Sequence, residues 1–383
     1  MGLNDWLAPI AGFELSNLTL LVGVVVATVV RRVSGINPGG IIAAAVLILA
    51  AHTSLAWAVT IPLVGIVLAK IYSQFFGHIY HGRVPLFILA FMSVSVMIVI
   101  GVVMKQVGLI PPSDLSYPLG VILPAILAAA IRKQGLGITY AYTLLSVVIT
   151  ALVIAGVYQA GLALHYDFHQ TDRLLEHREL IHIPWAGPLA LASIAIGYLI
   201  YRWQGVKTAG YVVLPLLANL LVVSPLNFVL VVGLAVICYG LTSWLRRHTL
   251  IIGIGRYSLV LVMSILLVWT AEVILLHTTS NFSPFLGTSI FASLAIAVLV
   301  NENTIYGIRR AAPLLVVGTV AMTGVVLTLQ LPFLLGPASG SESHVVRRLQ
   351  ADVTPSPSPL PHPKVRTTIT RAHPKQQTVV SDY

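Results

Sequence analysis

Twelve apolar segments, separated by short polar connections, dominate this chain of 383 residues. The apolar runs are continuous rather than alternating, which indicates membrane-spanning helices and not a β-barrel. Soluble domains are about a quarter charged, whereas only 9% of these residues are charged and 57% are hydrophobic. We therefore expect an all-α polytopic membrane protein. The predicted segments are 16–30, 39–52, 55–71, 84–104, 117–131, 138–158, 184–201, 209–223, 225–245, 257–277, 285–300 and 311–333.

The basic residues are distributed unequally between alternate connections. Of the 22 Lys and Arg residues, 13 lie in one set of connections, three in the other set and six in the C-terminal tail. Cytoplasmic connections are enriched in Lys and Arg, so we expect the first set in the cytoplasm and both termini outside. That set comprises Arg31, Arg32, Lys70, Arg83, Arg132, Lys133, Arg202, Lys207, Arg246, Arg247, Arg256, Arg309 and Arg310.

The second half of the chain echoes the first. The stretch RVSGINPGG at Arg32–Gly40 aligns with RWQGVKTAG at Arg202–Gly210. Within each half, a weaker similarity relates the second segment to the fifth, and the charge pattern makes these two run in opposite directions. The pattern predicts two homologous halves, each readable as an inverted repeat of three plus three segments. The predicted boundaries are 1–158 and 184–335 for the halves, 159–183 for an extracytoplasmic loop and 336–383 for a disordered, Pro-rich basic tail.

Short segments interrupted by Gly and Pro indicate where a substrate path is expected. Such broken helices surround the substrate near the midplane of repeat-built transporters. The alternative is that these residues only pack or kink the helices, and both interpretations stay open. Glu272 joins the candidates because an ionisable residue inside a span is a functional candidate by default. It also lies near the outer end of its segment, so snorkelling or a partner at the outer rim is an equal alternative. The candidate path residues are Gly35, Pro38, Gly40, Gly120, Pro124, Arg132, Lys133, Gln134, Gly135, Gly210, Pro215 and Glu272.

Motifs for covalent chemistry are missing from the sequence. It contains no GxxxxGK[ST] phosphate loop, no GxSxG elbow and no HExxH or paired-Cys metal set. We therefore predict no catalytic, cofactor-binding or metal-binding residue. A chain without a nucleotide site cannot drive an ATP-dependent ligation by itself.

The fifth segment and the residues after it resemble the poly-γ-glutamate capsule biosynthesis family called CapC or PgsC. Because a usual member resembles only about residues 1–158, this chain looks like a fused tandem pair. Three departures from the family pattern are Ala125 for a glycine, Ala129 for an asparagine, and Asn301-Glu302-Asn303 where Lys-Gln-Gly is expected. The matching residues are Gly35, Ile36, Pro38, Gly40, Gly120, Ile122, Pro124, Ala128, Ile131, Lys133, Gln134, Gly135, Leu136, Ile138, Thr139, Thr143, Leu144 and Leu145, with Ala209, Gly210, Val212 and Val213 in the second half.

The resemblance implies a non-catalytic membrane subunit of a polymer synthase in the bacterial cytoplasmic membrane. Its implied partners are a cytoplasmic ATP-dependent amide ligase, an extracytoplasmic accessory subunit, the anionic polymer and membrane lipid, with no nucleic acid. Poly-γ-glutamate carries one carboxylate per residue, so a cytoplasmic ring of cations would guide it or dock the ligase. Two alternatives remain, a stand-alone secondary transporter of a small carboxylate and a membrane polymerase or acyltransferase. We call this expected ring of cations the cytoplasmic mouth. Besides Arg132 and Lys133, its candidate residues are Arg32, Arg83, Arg202, Arg256 and Arg309.

Overall fold

The described residues form twelve α-helices and no strand in a computed structural model, which confirms the all-α prediction and the number of apolar segments. The structure describes residues 13–77, 79, 84–108, 116–164, 186–207, 210–248, 254–278, 285 and 289–335. Most of the predicted loop 159–183 and the whole tail 336–383 lie outside these residues. The helices are α1 Phe13–Ser34, α2 Ala43–Thr53, α3 Leu55–Phe75, α4 Val84–Gln106, α5 Ser116–Gln134, α6 Leu136–Ala163, α7 Ala186–Gln204, α8 Gly210–Val223, α9 Pro225–His248, α10 Ile254–Thr278, α11 Ser289–Tyr306 and α12 Ile308–Leu335.

Eight of the described helices are long and apolar enough to cross a membrane, namely α1, α3, α4, α6, α9, α10, α11 and α12. In contrast, α2 has 11 residues, a rise of only ~16 Å. Its residues Ala43 to Val46 are buried at 1% exposure or less, so α2 lies inside the bundle and not against lipid. Small residues permit this close packing. A Cβ at Gly23 of α1 would lie 2.8 Å from the Cβ of Ala45.

Single residues separate consecutive helices at matching places in the two halves. Ser54 divides α2 from α3, and Ser224 divides α8 from α9. In each case the main-chain carbonyl of the serine accepts a hydrogen bond from the next helix, and its main-chain N–H donates to the carbonyl four residues earlier. Gly135 divides α5 from α6, and Gly307 divides α11 from α12, with φ of 88° and 80°. A left-handed φ strains any residue with a Cβ. The breaks are therefore built by local sequence.

The helices of the first half (α1–α6) and of the second half (α7–α12) have corresponding neighbours. In the first half α5 packs against α2, α3 and α4, and in the second half α11 packs against α8, α9 and α10. Between the halves, α1 packs against α10 while α4 packs against α7. Since α1 corresponds to α7 and α10 corresponds to α4, a twofold rotation would interchange these two contacts, as expected of two similar units that face each other.

Candidate functional site

The fifth helix ends in a clamp on the loop that follows α1. The side-chain oxygen of Gln134 accepts a hydrogen bond of 3.0 Å from the main-chain N–H of Asn37. The amide nitrogen of Gln134 donates to the carbonyl of the same Asn37. One side-chain amide thus satisfies both main-chain groups of a residue in irregular backbone. Such backbone persists at membrane depth only where protein satisfies its polar groups.

The loop held by this clamp is buried between helices. Pro38, Gly39 and Gly40 are all buried, and the Asn37 side chain accepts a bond of 3.1 Å from the N–H of Gly40. Gly40 has φ of 115°, and a Cβ there would lie 2.6 Å from Cγ2 of Ile126 on α5. Both backbone conformation and close packing therefore require glycine at this position.

Gly120 and Pro124 of α5 lie against α3. A Cβ at Gly120 would lie 2.7 Å from Nε1 of Trp57, and the carbonyl of Pro124 lies 3.5 Å from the Cβ position of Gly65. One turn from the proline, the Ser93 hydroxyl donates a 2.7 Å bond to the carbonyl of Val121. These contacts are those of a tight helix–helix interface, and they favour the packing interpretation for this part of the proposed path.

A cavity of about 550 Å³ opens beside the clamp, where α5 of the first half and α11 of the second half end. We call this side of the bundle the basic end, because α1, α5, α7 and α9 all finish there with Arg or Lys. The cavity takes residues from both halves of the chain. Its lining residues are Gly77, Pro85, Leu86, Phe87, Leu89, Ala129, Arg132, Lys133, Lys207, Asn301, Glu302, Ile305 and Tyr306.

The charges around the cavity are predominantly positive. Among the lining side chains are three cations, Arg132, Lys133 and Lys207, and one carboxylate, Glu302. The guanidinium carbon of Arg132 lies 4.1 Å from the centre of the Tyr72 ring, a cation–π contact that restrains the side chain. The remaining wall is largely apolar, and a low-dielectric wall strengthens the attraction of an anion by these cations.

Aromatic rings tie the cavity wall to the second half. The ring of Phe87 stacks on Tyr201 at 5.4 Å between centroids and meets Tyr198 edge-on at 5.6 Å. Offset and edge-on pairs are favourable aromatic geometries. Lys207, which follows α7, lines the same cavity as Arg132 and Lys133.

The structure brings only part of the predicted mouth to this cavity. Arg32, Arg202 and Arg309 are exposed at the ends of their helices and do not line it. Arg256 is half-buried and lies near Arg246. Arg83 lies outside the described residues. The ring of cations therefore stays a prediction beyond Arg132 and Lys133.

Three further predicted residues have structural positions away from the cavity. Gly35 ends α1 with φ of 73°, as Gly205 ends α7 with φ of 68°. Gly210 is the first residue of α8, and Pro215 lies inside that helix.

Four polar or charged lining residues were not among the sequence candidates: Lys207, Asn301, Glu302 and Tyr306. The signal for two of them, Asn301 and Glu302, was present, since the eleventh segment departs from its counterpart by ending on Asn301-Glu302-Asn303. Sequence alone did not reveal that this helix end faces the end of α5. Among the described residues no three His, Cys, Asp or Glu side chains cluster as a metal site would.

Glu272 lies far from the cavity, toward the opposite end of α10. It is fully buried, and the polar group that interacts with it is the hydroxyl of Ser289 at the start of α11. The structure therefore separates Glu272 from Arg132 and Lys133, and a role for it in the same path stays a prediction.

Comparison with known proteins adds the family. No curated protein and no solved structure matches the chain significantly. The family model described as capsule biosynthesis CapC matches residues 22–140 and 192–284, one segment in each half and together more than half of the chain. The two segments are consistent with the tandem arrangement. On this match, the chain belongs to the CapC family of capsule biosynthesis proteins.

Proposed function

We propose that this protein is the membrane subunit of a bacterial synthase and export complex for an anionic capsule polymer, poly-γ-glutamate. Membership of the capsule biosynthesis family supports the class. The observation that carries the proposal is the cavity at the basic end, in which Arg132, Lys133 and Lys207 surround a space of about 550 Å³. This volume falls in the range of pockets that hold a small organic ligand.

The cavity is suited to carboxylates that arrive in series. Each residue of a γ-glutamyl chain carries one carboxylate, and the three cations offer successive partners for these groups. Arg132 has a planar guanidinium that can hold a carboxylate through two bonds. The carboxylate of Glu302, which also lines the cavity, repels the carboxylates of the polymer and so limits how tightly the polymer is held. A path must bind its cargo weakly enough to release it.

The proposed orientation follows from the charges. The basic end faces the cytoplasm, where an ATP-dependent amide ligase makes the polymer, and both termini lie outside with an extracytoplasmic accessory subunit. The asymmetric distribution of Lys and Arg supports this arrangement in the cytoplasmic membrane.

The corresponding helix neighbours and the paired breaks at Ser54 and Ser224, and at Gly135 and Gly307, support an origin by duplication. We infer that the first half keeps the family's cationic segment end, and that the second half supplies Lys207 and the side chains of α11. A single-half protein would need a second copy to build the same cavity.

The first test is direct binding of a fluorescent γ-linked glutamate oligomer to the purified protein in detergent. We expect Arg132→Gln and Lys133→Gln each to weaken binding about five- to tenfold, because each removes a charge-assisted contact of about 1–1.5 kcal/mol. Arg247→Gln is the matched control, since Arg247 is an exposed cation at the same end outside the cavity lining.

An α-linked oligomer of equal length separates recognition of the polymer from simple charge attraction. Equal weakening by all three variants would contradict a role for the cavity. A second experiment seeks the host's amide ligase on tagged protein. If no ligase copurifies and polymer synthesis survives deletion of the chain, the stand-alone carboxylate transporter becomes the better assignment.

A further inference from the structure

A buried carboxylate lies at the contact between the two halves, at the end of the bundle away from the cavity. Glu272 of α10 has no exposed surface, and neither of its oxygens has a hydrogen-bond partner of normal geometry among the described residues. Sixteen residues, or ~24 Å of helix, separate it from Arg256 at the basic end. A bare carboxylate withdrawn from water must be neutralised by a partner or a bound cation.

The polar groups around Glu272 come from both halves of the chain. Asn17 of α1 donates a 3.5 Å bond from its side-chain nitrogen to the hydroxyl of Ser289 on α11. Ser289 also interacts with Glu272, and since its oxygen accepts from Asn17, its proton is available to the carboxylate. Both Asn17 and Ser289 are buried. Ser293, one turn along the same face of α11, has a buried hydroxyl without a partner among the described residues.

No described cation neutralises this carboxylate. The helices packed against α10 are α1, α9 and α11. On them, the titratable side chain at the Glu272 end is Glu14, in the first turn of α1. The thiol of Cys238 on α9 contacts the carbonyl of Val260 at 4.0 Å, three turns of α10 from Glu272, and the side chain of His277 is outside the described residues. The other charged groups of these four helices are at the basic end: Arg31, Arg32, Arg246, Arg247, Arg256 and Glu302.

The counterpart contact between the halves has no such cluster. Under the alignment of Arg32 with Arg202, Gly187 of α7 takes the place of Asn17. It packs against α4, where a Cβ at Gly187 would lie 2.6 Å from Cγ1 of Ile98. Between Val84 and Met104, α4 carries no ionisable side chain. An apolar contact therefore suffices to join the halves, and packing does not require the carboxylate.

We propose that Glu272, Ser289 and Asn17 form a binding site for one monovalent cation, a proton or Na⁺, at the contact between the two halves. Hard oxygen donors of this type suit a proton or an alkali cation. Because Ser289 and Glu302 lie on the same helix α11, ~20 Å apart along its axis, occupation of the site acts on the helix that also lines the cavity. The site itself does not depend on the identity of the polymer.

The test is carboxyl labelling of the intact protein in detergent with an apolar carbodiimide, followed by peptide mass spectrometry. The reagent reacts with a protonated carboxylic acid in apolar surroundings, so we expect an adduct on Glu272. For a proton site, labelling falls about tenfold for each pH unit above its midpoint and is indifferent to Na⁺. For a sodium site, Na⁺ suppresses labelling at constant pH and K⁺ does not.

Two variants control the labelling. Glu272→Gln should lose the adduct, and it should also lose any dependence of the thermal unfolding midpoint on pH or Na⁺. Glu14→Gln, the same change at the same end of the bundle, should keep the adduct on Glu272 and the dependence of the unfolding midpoint on pH or Na⁺. Absence of an adduct on wild-type Glu272 would overturn the proposal, as would labelling that responds to neither pH nor Na⁺. The wild-type experiment decides the question even if Glu272→Gln fails to fold.

Discussion

The side-chain amide of Gln134 hydrogen-bonds to both main-chain polar groups of Asn37, 97 positions earlier in the chain. This contact ties the end of α5 to the loop after α1. Because Arg132 and Lys133 directly precede Gln134, the clamp also fixes the helix end that brings these two cations to the cavity.

Replacing Gln134 by alanine should destabilise the protein by about 1–3 kcal/mol, because the N–H and carbonyl of Asn37 lose their partners at a partly buried position. The midpoint of thermal unfolding in detergent measures the effect. Gln134→Glu should also destabilise, since a carboxylate can accept from the N–H but cannot donate to the carbonyl. Lys133→Ala, at the exposed neighbouring position, should leave the midpoint nearly unchanged.

Gly40→Ala should cost more stability than Gly35→Ala. Both have positive φ, which costs roughly 1–2 kcal/mol with a Cβ, but only the Cβ at Gly40 meets a neighbour, Ile126, while that at Gly35 has none within 4 Å. The double variant Gly40→Ala/Ile126→Ala should therefore show coupling in a double-mutant cycle. Additive effects would contradict the contact.

Gly120→Ala should destabilise the protein by roughly 1–3 kcal/mol through its clash with Trp57. A smaller residue at position 57, as in Gly120→Ala/Trp57→Leu, should recover part of that loss. If Gly120 instead lines a polymer path, Gly120→Ala will fold with wild-type stability and reduce polymer output alone. Thermal unfolding and polymer yield, measured side by side, separate the two roles.

Tyr72→Leu should weaken binding of the γ-glutamyl oligomer, because Arg132 loses the ring that restrains it. A cation–π contact of about 0.5–1 kcal/mol corresponds to a two- to fivefold change in the dissociation constant. Tyr72→Phe keeps the ring and should bind as the wild type does. Equal weakening in both variants would show that the hydroxyl, and not the ring, matters.

Glu302→Gln should strengthen oligomer binding about two- to fivefold, since it removes the carboxylate that shares the cavity with the three cations. The gain should shrink as salt rises, because screening weakens charge interactions. Glu14→Gln is the control for a general change in net charge, because Glu14 lies in the first turn of α1, at the end of the bundle away from the cavity. Weaker binding in Glu302→Gln would mean that Glu302 orients a cation instead of opposing the polymer.

Some of the site could be predicted because its signals are local. Arg132, Lys133 and Gly135 stand out as a charged and glycine-marked end of an apolar segment, and the structure places the first two in the cavity. Lys207 and Tyr306 carry no comparable local signal. They line the cavity because of which helix ends approach each other, and hydrophobic periodicity does not predict that arrangement.

The sequence by itself determined that this is a membrane protein of twelve apolar helices, and it revealed the family. These properties follow from the length and composition of each segment, since every backbone group in lipid must be satisfied within a helix. The tertiary structure decided that Gly120 packs against Trp57 and that the ends of α5 and α11 share a cavity. It also placed Glu272 beside Ser289, which in turn accepts a hydrogen bond from Asn17. The reason is that neighbouring helices are determined by close contacts at small residues distant in sequence. The hydrophobicity of each segment does not specify these contacts.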